Sequence, residues 1–357
     1  MKEKVYLIPL ADNEDDAVAA EKLKSFILEK KLLDSIENRD LVAIKTHFGE
    51  TSKSGYPRPE LVKALGEVIY EKEGLPFLTE TSCLYKGNRN NAIEHIMLAH
   101  RHGFGIAETN VPIIMADGML GDEEIEVPIK GELFESVKIA SLVGRLQGMV
   151  LLTHFTGHLV SGFGAALKNL GMGLASRKGK LHQHSTAQPT ISVDKCTSCG
   201  VCVKWCPEDA ITMNDDAAFI HEEKCIGCGE CLAVCRFDAV GYNWAVSYEE
   251  LQKKVVEHAR GVVTACQGKI LYVNVLTRIS KDCDCLPSYE KITPDIGILI
   301  SEDPVVIDAA SIDLVEKQAG CNLSEMAYDI PYRAQLDHAK AIGFGSVEYE
   351  LITVEDL

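Results

Sequence analysis

Short apolar runs alternate along the chain with segments whose apolar residues recur at helical spacing. The apolar runs predict buried strands at residues 5–10, 41–46, 75–79, 111–115, 149–153, 269–276, 295–301 and 346–353. The amphipathic segments predict helices at residues 17–30, 59–71, 91–102, 163–170, 248–259, 304–318 and 332–342. This alternation predicts an α/β fold whose mainly parallel sheet is covered by helices on both faces.

Between residues 188 and 245 the alternation gives way to short segments that are dense in cysteine. The sequence therefore predicts an α/β body in two parts, residues 1–187 and 246–357, with residues 188–245 inserted as a small module. The stretch 181–188 is rich in His, Gln, Ser and Thr, and we predict that it is a linker.

Composition and charge exclude several classes of protein. The 357 residues are 46% apolar and 25% charged, which is ordinary for a globular protein with a large core. No apolar run approaches the roughly 18 residues of a membrane helix, and the first ten residues have too short an apolar core for a signal peptide. We therefore expect a cytoplasmic location without a membrane partner. The formal net charge of −17 repels phosphate backbones, so we expect no nucleic acid partner.

Thirteen cysteines in a chain expected in the cytoplasm indicate metal or redox chemistry rather than disulfides. Eight of them form an internal repeat at an offset of 29 residues, and each half has the spacing C-x₂-C-x₂-C-x₃-C. The eight are Cys196, Cys199, Cys202 and Cys206 in the first half and Cys225, Cys228, Cys231 and Cys235 in the second. The alternative, structural zinc, uses four cysteines in two C-x₂-C pairs and leaves half of these eight without a ligand role.

The repeat resembles the two-cluster bacterial ferredoxins, in which the fourth cysteine of each run binds the other cluster. The resemblance implies an α+β module whose cofactors are two [4Fe–4S] clusters. One cluster would be held by Cys196, Cys199, Cys202 and Cys235, and the other by Cys225, Cys228, Cys231 and Cys206. The chain departs from this pattern at Arg236, because a proline follows the first run at position 207. Clusters of this kind transfer single electrons, so the reaction that they serve must lie elsewhere in the chain.

Candidate ligand-binding residues lie in the α/β body. Two copies of Thr-His-Phe follow predicted strands and place His47 and His154 at strand ends, where open α/β sheets bind ligands. We predict that both are catalytic, and the alternative is that each caps a loop through a backbone carbonyl. Lys168 follows Gly162 and Gly164 at a predicted helix start, whose N–H groups suit an anion. We predict that these three residues bind an anionic ligand or cofactor; the alternative is a solvated surface lysine.

Features along nearly the whole chain resemble the "domain of unknown function 362" family of iron–sulfur proteins. They are the Thr-His-Phe strands, the segment Gly-x₅-Lys-Asn-Leu-Gly, the cysteine module and the run at residues 295–310. The resemblance implies the α/β architecture and the clusters, and it leaves the reaction open.

A second resemblance concerns His158, Lys168 and His184, whose spacing is similar to that in the cofactor segment of nickel-pincer lactate racemases. In that family the lysine tethers the pincer nucleotide, the later histidine ligates nickel and the earlier histidine exchanges a substrate proton. The resemblance implies these roles for Lys168, His184 and His158 respectively. The chain departs from the racemases at residues 165–167, where they have glycines and a basic residue, and in carrying a cysteine module.

Three hypotheses about function follow. The one we favour is an oxidoreductase in which the two clusters pass electrons from a redox partner protein to a small molecule or organic cofactor at the strand ends. The second is an electron carrier whose α/β body only docks a partner, and the third is a metal-dependent isomerase or racemase. The pair Cys283 and Cys285 has a spacing that suits a soft metal or a redox pair, and the alternative is two ordinary reduced thiols.

Overall fold

The computed structural model describes residues 2–50, 55–84, 87–184, 189–225, 230–237, 239–242, 247–284 and 290–354. The strands are β1 (Glu3–Pro9), β2 (Leu41–Lys45), β3 (Leu75–Thr79), β4 (Glu124–Pro128), β5 (Ser136–Ala140), β6 (Gly148–His154), β7 (Thr156–His158), β8 (Gly162–Gly164), β9 (Pro189–Ile191), β10 (Ile211–Met213), β11 (Ala218–Ile220), β12 (Val240–Tyr242), β13 (Lys269–Leu276), β14 (Gly297–Ser301) and β15 (Tyr349–Thr353). The helices are α1 (Asp16–Lys30), α2 (Pro59–Glu71), α3 (Ala92–Arg101), α4 (Ile106–Thr109), α5 (Ala166–Gly171), α6 (Arg177–His184), α7 (Val201–Trp205), α8 (Glu230–Val234), α9 (Tyr248–Ala265), α10 (Pro304–Ala319), α11 (Leu323–Met326) and α12 (Ala334–Ala341).

A seven-stranded sheet in the order β15-β1-β14-β13-β6-β2-β3 forms the centre of the α/β body. The neighbours β13, β6, β2 and β3 run parallel to one another, and β15 runs parallel to β1. Only β14 is antiparallel to the strands beside it in this sheet. The predicted α/β fold with a mainly parallel sheet is therefore confirmed.

Both faces of the sheet are buried, because every residue of the central strand β6 is buried. Met149 and Leu151 point to one face and pack in a cluster with α5, α9 and α10. Val150 and Leu152 point to the opposite face and pack in a second cluster with α1 and α2. This alternation is the period of two that a strand imposes on its side chains. It leaves the ends of the strands as the place where polar side chains can gather.

Three predicted elements differ in the structure. Residues 111–115 were expected to form a strand, but they touch β3 through only a short bridge, in which Leu78 N–H donates to Pro112 O (2.8 Å). Pro112 has no N–H to extend the ladder. The predicted helix at residues 163–170 begins three residues later, because Phe163 belongs to β8. The predicted linker at residues 181–188 starts inside α6, while residues 185–188 lie outside the described residues.

The cysteine-rich segment forms short elements of its own. Strand β9 pairs with β12 and β10 pairs with β11, both antiparallel, and α7 packs against α8. A small hydrophobic cluster fills the space between them, built on Ile211, Ala218, Ile220, Cys231 and Val240. The predicted boundaries of this module stay a prediction. Across the part of the chain that the structure describes, no helix is long and apolar enough to cross a membrane.

Candidate functional site

A cavity of about 590 Å³ lies beyond the carboxyl ends of β2, β3 and β6. Its polar wall includes residues that directly follow these strands, and its apolar wall includes Leu84, Leu152, Met172 and Leu251. Parallel strands place their carboxyl ends at one edge of the sheet, which is why residues distant in sequence meet here. Seven residues that the sequence analysis singled out in the body line this cavity: His47, His154, His158, Gly164, Lys168, His184 and Cys283.

His154, at the end of β6, is buried and contacts two hydrogen-bond acceptors. Its Nδ1 lies 3.0 Å from Oδ1 of Asp284, and its Nε2 lies 2.8 Å from the backbone oxygen of Thr277. A carboxylate and a carbonyl can only accept, so both ring nitrogens of His154 lie against acceptors. Asp284 forms an ion pair with His154 when the ring is protonated. The sequence analysis gave contact with a backbone carbonyl as the alternative to a catalytic role, and Nε2 of His154 makes such a contact with Thr277.

His158 lies at the end of β7, in a hairpin with β8. Its Nδ1 accepts hydrogen bonds from the backbone N–H groups of Val160 (3.1 Å) and Ser161 (3.0 Å). Because Nδ1 faces two donors, the proton of the neutral ring is on Nε2. His158 is therefore held as a hydrogen-bond donor.

His47 follows β2 and contacts two donors. Its Nδ1 accepts from the backbone N–H of Gly49 (2.9 Å), and Nη1 of Arg89 lies 2.8 Å from its Nε2. Arginine only donates, so both ring nitrogens of His47 lie against donors, while a neutral imidazole has only one acceptor nitrogen. Arg89 is itself paired with Glu50 at 2.8 Å. This wall of the cavity therefore carries a cation whose charge is already balanced.

Helix α5 carries Lys168, and its start is occupied by a carboxylate of the same chain. The two oxygens of Asp308 accept hydrogen bonds of 2.8 Å from the N–H groups of Ala166 and Leu167. Burial raises the pKa of Asp308 to about 7, against the lowering effect of these hydrogen bonds. The prediction that the helix start binds an external anion is therefore wrong, because Asp308 takes that place.

Lys168 itself lines the cavity and is partly buried. Among the described residues, its ammonium forms no hydrogen bond or ion pair. Gly164 lies beneath it, since a β-carbon at Gly164 would be 3.9 Å from Lys168 Nζ. Gly162 has a different role: it has a φ of +76° and packs against Tyr332, outside the lining. The prediction of an anion-binding Gly162 does not fit this placement, while Gly164 and Lys168 stay candidates.

Two further lysines near the cavity carry buried charge that the sequence analysis missed. Lys45 is fully buried, 2.9 Å from Glu80, and its Nζ donates to Asn169 Oδ1 at 2.7 Å. Lys180 donates to Thr81 Oγ1 and to the backbone oxygen of Ser82. Burial lowers the pKa of both lysines, although Glu80 opposes this effect. The only signal for Lys45 was its position at the end of an apolar run.

His184, the last residue of α6, also lines the cavity. Burial lowers its pKa to about 4, and the nearby charges of Lys168 and Lys254 act in the same direction. The ring is therefore neutral near pH 7. A neutral imidazole is the form that ligates a metal.

A second, smaller cavity lies in the cysteine module. Its lining contains Cys196, Cys199, Cys202 and Cys235, together with apolar residues such as Val240. These are the four cysteines predicted to hold the first cluster. One backbone amide is aimed at a sulfur of this group, since Ala218 N–H donates to Cys196 Sγ at 3.5 Å. Amides directed at sulfur are a feature of iron–sulfur sites.

Of the four cysteines predicted for the second cluster, the structure describes Cys206, Cys225 and Cys231, and Cys228 lies outside the described residues. These three pack in the same hydrophobic cluster as Cys196, Cys202 and Cys235 of the first set. Ala210 N–H donates to Cys206 Sγ at 3.2 Å. Within the described ranges, three or more His, Cys, Asp or Glu side chains do not converge on a single-ion site. A cubane spreads its thiolates over four irons, so such convergence is not expected of its ligands.

Of the other predicted pair, Cys283 is buried and lines the large cavity, while Cys285 lies outside the described residues. The prediction that this pair binds a metal stays a prediction.

Both connections of the module lead to helices that contribute to the wall of the large cavity. Helix α6 ends at His184 on the cavity wall, and Leu251, one turn into α9, lies on the same wall. The module itself begins and ends at neighbouring residues, because Pro189 of β9 pairs with Tyr242 of β12.

Comparison with known protein families shows which family the chain belongs to. The family described as "Domain of unknown function (DUF362)" matches residues 42–313, which include the cysteine module and most of the body. This chain belongs to the DUF362 family. The match spans both the strand-end cavity and the cysteines, so both sites lie within the family's own domain.

A short segment of this DUF362 protein is also similar to the ferredoxin-type protein NapF of Haemophilus influenzae. The two are 53% identical over 36 residues, which is 10% of this chain and 20% of NapF. The similarity links the chain to ferredoxin-type proteins over that segment alone.

Two solved structures resemble the DUF362 protein in outline. The lactate racemase apoprotein from Thermoanaerobacterium thermosaccharolyticum matches with a TM-score of 0.47 and 11% identity, over 89% of this chain and 58% of the racemase. A protein from Thermotoga maritima matches with a TM-score of 0.46 and 12% identity, over 86% of this chain and 60% of that protein. The chain thus spans less than two thirds of either protein, and at these TM-scores the likeness supports no functional conclusion.

Proposed function

We propose that this DUF362 protein is an iron–sulfur redox enzyme whose substrate or organic cofactor is an anionic small molecule in the strand-end cavity. The observation that carries the proposal is the attachment of the cysteine module. One of its connections starts at His184, which lines this cavity, and the other leads to Ser247, the cap of α9, one turn before Leu251 of the same lining. We infer that electrons held in the module can reach a ligand in the body.

The cysteines fit the cofactor that the proposal requires. Cys196, Cys199, Cys202 and Cys235 share one cavity, and two backbone amides donate to cysteine sulfurs in the module. With Cys206, Cys225, Cys228 and Cys231, they supply eight thiolates for two [4Fe–4S] clusters. Such clusters supply single electrons when bound.

The length of the connections limits how far the module can lie from the cavity. Five Cα steps join His184 to Pro189, and another five join Tyr242 to Ser247, the cap of α9. An extended chain of this length spans at most about 18 Å. The short connections therefore support transfer of electrons within one polypeptide.

The charge on the cavity wall supports an anionic ligand. Arg89 is balanced by Glu50 and His154 by Asp284, whereas no carboxylate among the described residues lies within ion-pair distance of Lys168. An unbalanced ammonium in a chain with a net charge of −17 attracts an anion into this part of the molecule. The apolar wall suits the uncharged part of the same ligand.

A redox partner protein must supply the electrons in this proposal. The net negative charge of the chain favours a partner with a basic docking face, because complementary charge speeds the encounter of two proteins.

A second candidate is a metal-dependent isomerase or racemase. The observation that favours it is that His158, Lys168 and His184, the three residues of the racemase resemblance, line one cavity. The geometry of His158 opposes it, because Nδ1 faces two N–H groups and the ring is not poised to take up a substrate proton. Nickel found by elemental analysis, and lost in His184→Ala, would favour this candidate; iron and sulfide alone would count against it.

The experiment that tests the proposed function starts from protein purified without oxygen. Organic compounds released on denaturation are identified by mass spectrometry and then added to dithionite-reduced protein while cluster absorbance is followed. We expect the released compound to reoxidise the clusters of the wild type, and Lys168→Met to copurify with much less of it. Lys317→Met, an exposed lysine of α10, is the matched control. Equal amounts of compound in both variants, or none in any, would contradict the proposal.

A further inference from the structure

Glu80, the residue that directly follows β3, brings a carboxylate to the wall of the strand-end cavity. It is only 4% exposed, and it belongs to the lining. Its Oε1 lies 2.9 Å from Lys45 Nζ and accepts the backbone N–H of Thr81 at 3.0 Å. Its Oε2 accepts no hydrogen bond from the described residues, and it is not fully enclosed by them. Oε2 is therefore an acceptor that a molecule in the cavity can reach.

The donors around Glu80 do not reach this oxygen. Lys180 donates to Thr81 Oγ1 and to the backbone oxygen of Ser82 instead. His95 lies close enough for its charge to act on Glu80, but both of its ring nitrogens are buried without a hydrogen bond to the described residues. The same holds for Ser82 Oγ. The hydrogen for Oε2 therefore comes from whatever occupies the cavity, and a ligand that displaces water there must supply a donor of its own to keep its affinity.

Lys45 keeps this carboxylate ionised. Burial acts to raise the pKa of Glu80, but the charge of Lys45 opposes burial and holds the pKa below its ordinary value of 4.5. Lys45 is fixed in place by Asn169, whose Oδ1 accepts from Nζ at 2.7 Å and whose Nδ2 donates to Thr153 Oγ1 at 2.9 Å. Lys45 is fully buried and does not line the cavity. Its charge thus acts on Glu80 from behind the wall, and an ionised carboxylate can only accept.

Glu80 and Lys168 act on the same ligand. Asn169, which accepts from Lys45, is the neighbour of Lys168 in α5. Lys168 also lies close enough to add to the effect of burial in lowering the pKa of Lys45. A ligand whose anionic group is attracted to Lys168 therefore also meets an ionised carboxylate. Like charges side by side are costly, so this carboxylate repels a second anionic group and favours a hydrogen-bond donor in its place.

We propose that the ligand of this cavity carries a hydroxyl or N–H group in addition to its anionic group, and that Glu80 Oε2 accepts the hydrogen of that group. Lys45 is the positioning residue that keeps Glu80 in its accepting form. The proposal rests on the proposed function for the presence of an anionic ligand, and it narrows the ligand to anions that also donate a hydrogen bond. An analogue without the donor would leave a buried acceptor unpaired, which is how such sites discriminate strongly.

The first test compares matched carboxylates by calorimetric titration of dialysed holoprotein with oxidised clusters. Hydroxycarboxylates with one to three methylene groups are compared with their methyl ethers, and half-amides of dicarboxylic acids with their dimethylamides. We expect at least one hydroxyl or amide probe to bind about tenfold or more tightly than its methylated partner, the effect of one hydrogen bond to a charged group. The series that shows this preference tells an O–H ligand from an N–H ligand. This comparison requires no variant.

The second test assigns the preference to Glu80. Glu80→Gln removes the charged acceptor and should reduce the preference to within about threefold, because hydrogen bonds between neutral groups are weaker. This variant leaves Lys45 buried without its partner, so the double variant Lys45→Met/Glu80→Gln is measured beside it and should show the same loss. Glu67→Gln, which removes a surface pair with Lys24, is the matched control and should leave the preference unchanged.

The role of Lys45 is tested by the pH dependence of the same preference. In the wild type it should be constant from about pH 6 to about pH 8, because the pKa of Glu80 lies below this range. In Lys45→Met the effect of burial is no longer opposed, so the preference should be weaker at about pH 6 and recover as the pH rises. His47, His95 and Lys180 also face Glu80, and their effect on anion binding cancels between a probe and its methylated partner at one pH. A wild-type profile in Lys45→Met would overturn the role of Lys45.

The failure of this proposal can be told from the failure of the proposed function. If carboxylates bind the wild type and are lost in Lys168→Met, but no probe binds more tightly than its methylated partner, Glu80 does not accept from the ligand and only this proposal falls. If no carboxylate binds the wild type, or if binding is unchanged in Lys168→Met, the anionic ligand falls as well. A preference that survives both Glu80→Gln and the double variant would assign the ligand's donor to another acceptor. Circular dichroism of each variant establishes that the fold is intact before its affinity is interpreted.

Discussion

Asp308 accepts a 2.8 Å hydrogen bond from the backbone N–H of Ala166, and so a carboxylate from α10 holds the first turn of the helix that carries Lys168. The same carboxylate accepts from Leu167 at 2.8 Å and from Asn274 Nδ2 at 2.9 Å. These contacts join α5, β13 and α10 on one face of the sheet. They fix the start of the helix that carries Lys168, while the Lys168 side chain itself lines the cavity.

Asp308→Asn should lower the free energy of unfolding by about 1–3 kcal/mol, because an amide nitrogen cannot accept from a backbone N–H group, whereas both oxygens of the carboxyl group can accept even when it is protonated. The effect should depend on pH. Burial raises the pKa of Asp308 from its ordinary 3.8 to about 7 in the folded state, so the stabilisation is complete below about pH 4 and is lost as the pH rises through about 7. Urea unfolding under argon should show the advantage of the wild type shrinking from about pH 5 to about pH 8. An advantage that grows with pH would contradict this assignment.

Gly162 and Gly164 provide a matched pair of substitutions. Gly164→Ala places a methyl group 3.3 Å from Thr156 Oγ1, so the threonine beside Lys168 must give by a few tenths of an ångström, and we expect affinity for an anion such as acetate or phosphate to fall by up to about tenfold with little loss of stability. Gly162→Ala places a methyl group 2.2 Å from Tyr332 Cβ at a φ of +76°, so we expect it to destabilise the fold by at least about 1–3 kcal/mol. Calorimetric titration and urea midpoints separate the two effects. The assignment fails if Gly164→Ala unfolds the protein while Gly162→Ala leaves its stability unchanged.

Cys196→Ser should remove one ligand of the first cluster, whereas Cys266→Ser changes a buried cysteine outside the module. We expect iron to fall by up to about four atoms per chain in the first variant and to stay unchanged in the second, since a cubane contains four irons. Iron and sulfide assays on protein purified without oxygen make the comparison. Equal iron in the two variants would exclude Cys196 as a cluster ligand.

Asp284→Asn keeps an acceptor for His154 Nδ1 but removes the charge that balances it. Because both partners are buried, we expect a loss of up to about 3–5 kcal/mol in the free energy of unfolding. Asp313→Asn, which affects an exposed pair with Arg333, is the control and should cost at most about 1 kcal/mol. If the two variants lose the same stability in urea unfolding, the contact between His154 and Asp284 is not a buried ion pair that stabilises the fold.

The sequence predicted the sheet well because its strands are buried on both faces. A short continuous apolar run such as β6, with predicted helices on either side in the sequence, is typical of a buried strand in a parallel sheet. The strand expected at residues 111–115 is reduced to a single bridge with β3, because Pro112 has no N–H that could extend the ladder toward the start of β3. The start of α6 was missed because its sequence, Arg-Lys-Gly-Lys-Leu-His-Gln-His, is almost entirely polar although several of its residues are buried.

The candidate site was predicted as a set of residues but not as an arrangement. His47, His154 and Lys168 were found from their positions after apolar runs, and all three line the cavity. The partner that occupies the start of α5 could not be found, because Asp308 is 142 residues from Ala166 and lies in what looked like an ordinary helix start. The hydrogen-bond partners of each histidine could not be predicted from the sequence either, because they include backbone groups that only the fold brings together.

The most direct measurement of the central claim is the iron and labile sulfide content of protein purified without oxygen, with electron paramagnetic resonance after reduction by dithionite. Two [4Fe–4S] clusters predict about eight irons and about eight sulfides per chain, and a low-temperature signal that dithionite induces. Far fewer irons per chain, or a reduced protein without any such signal, would contradict the account.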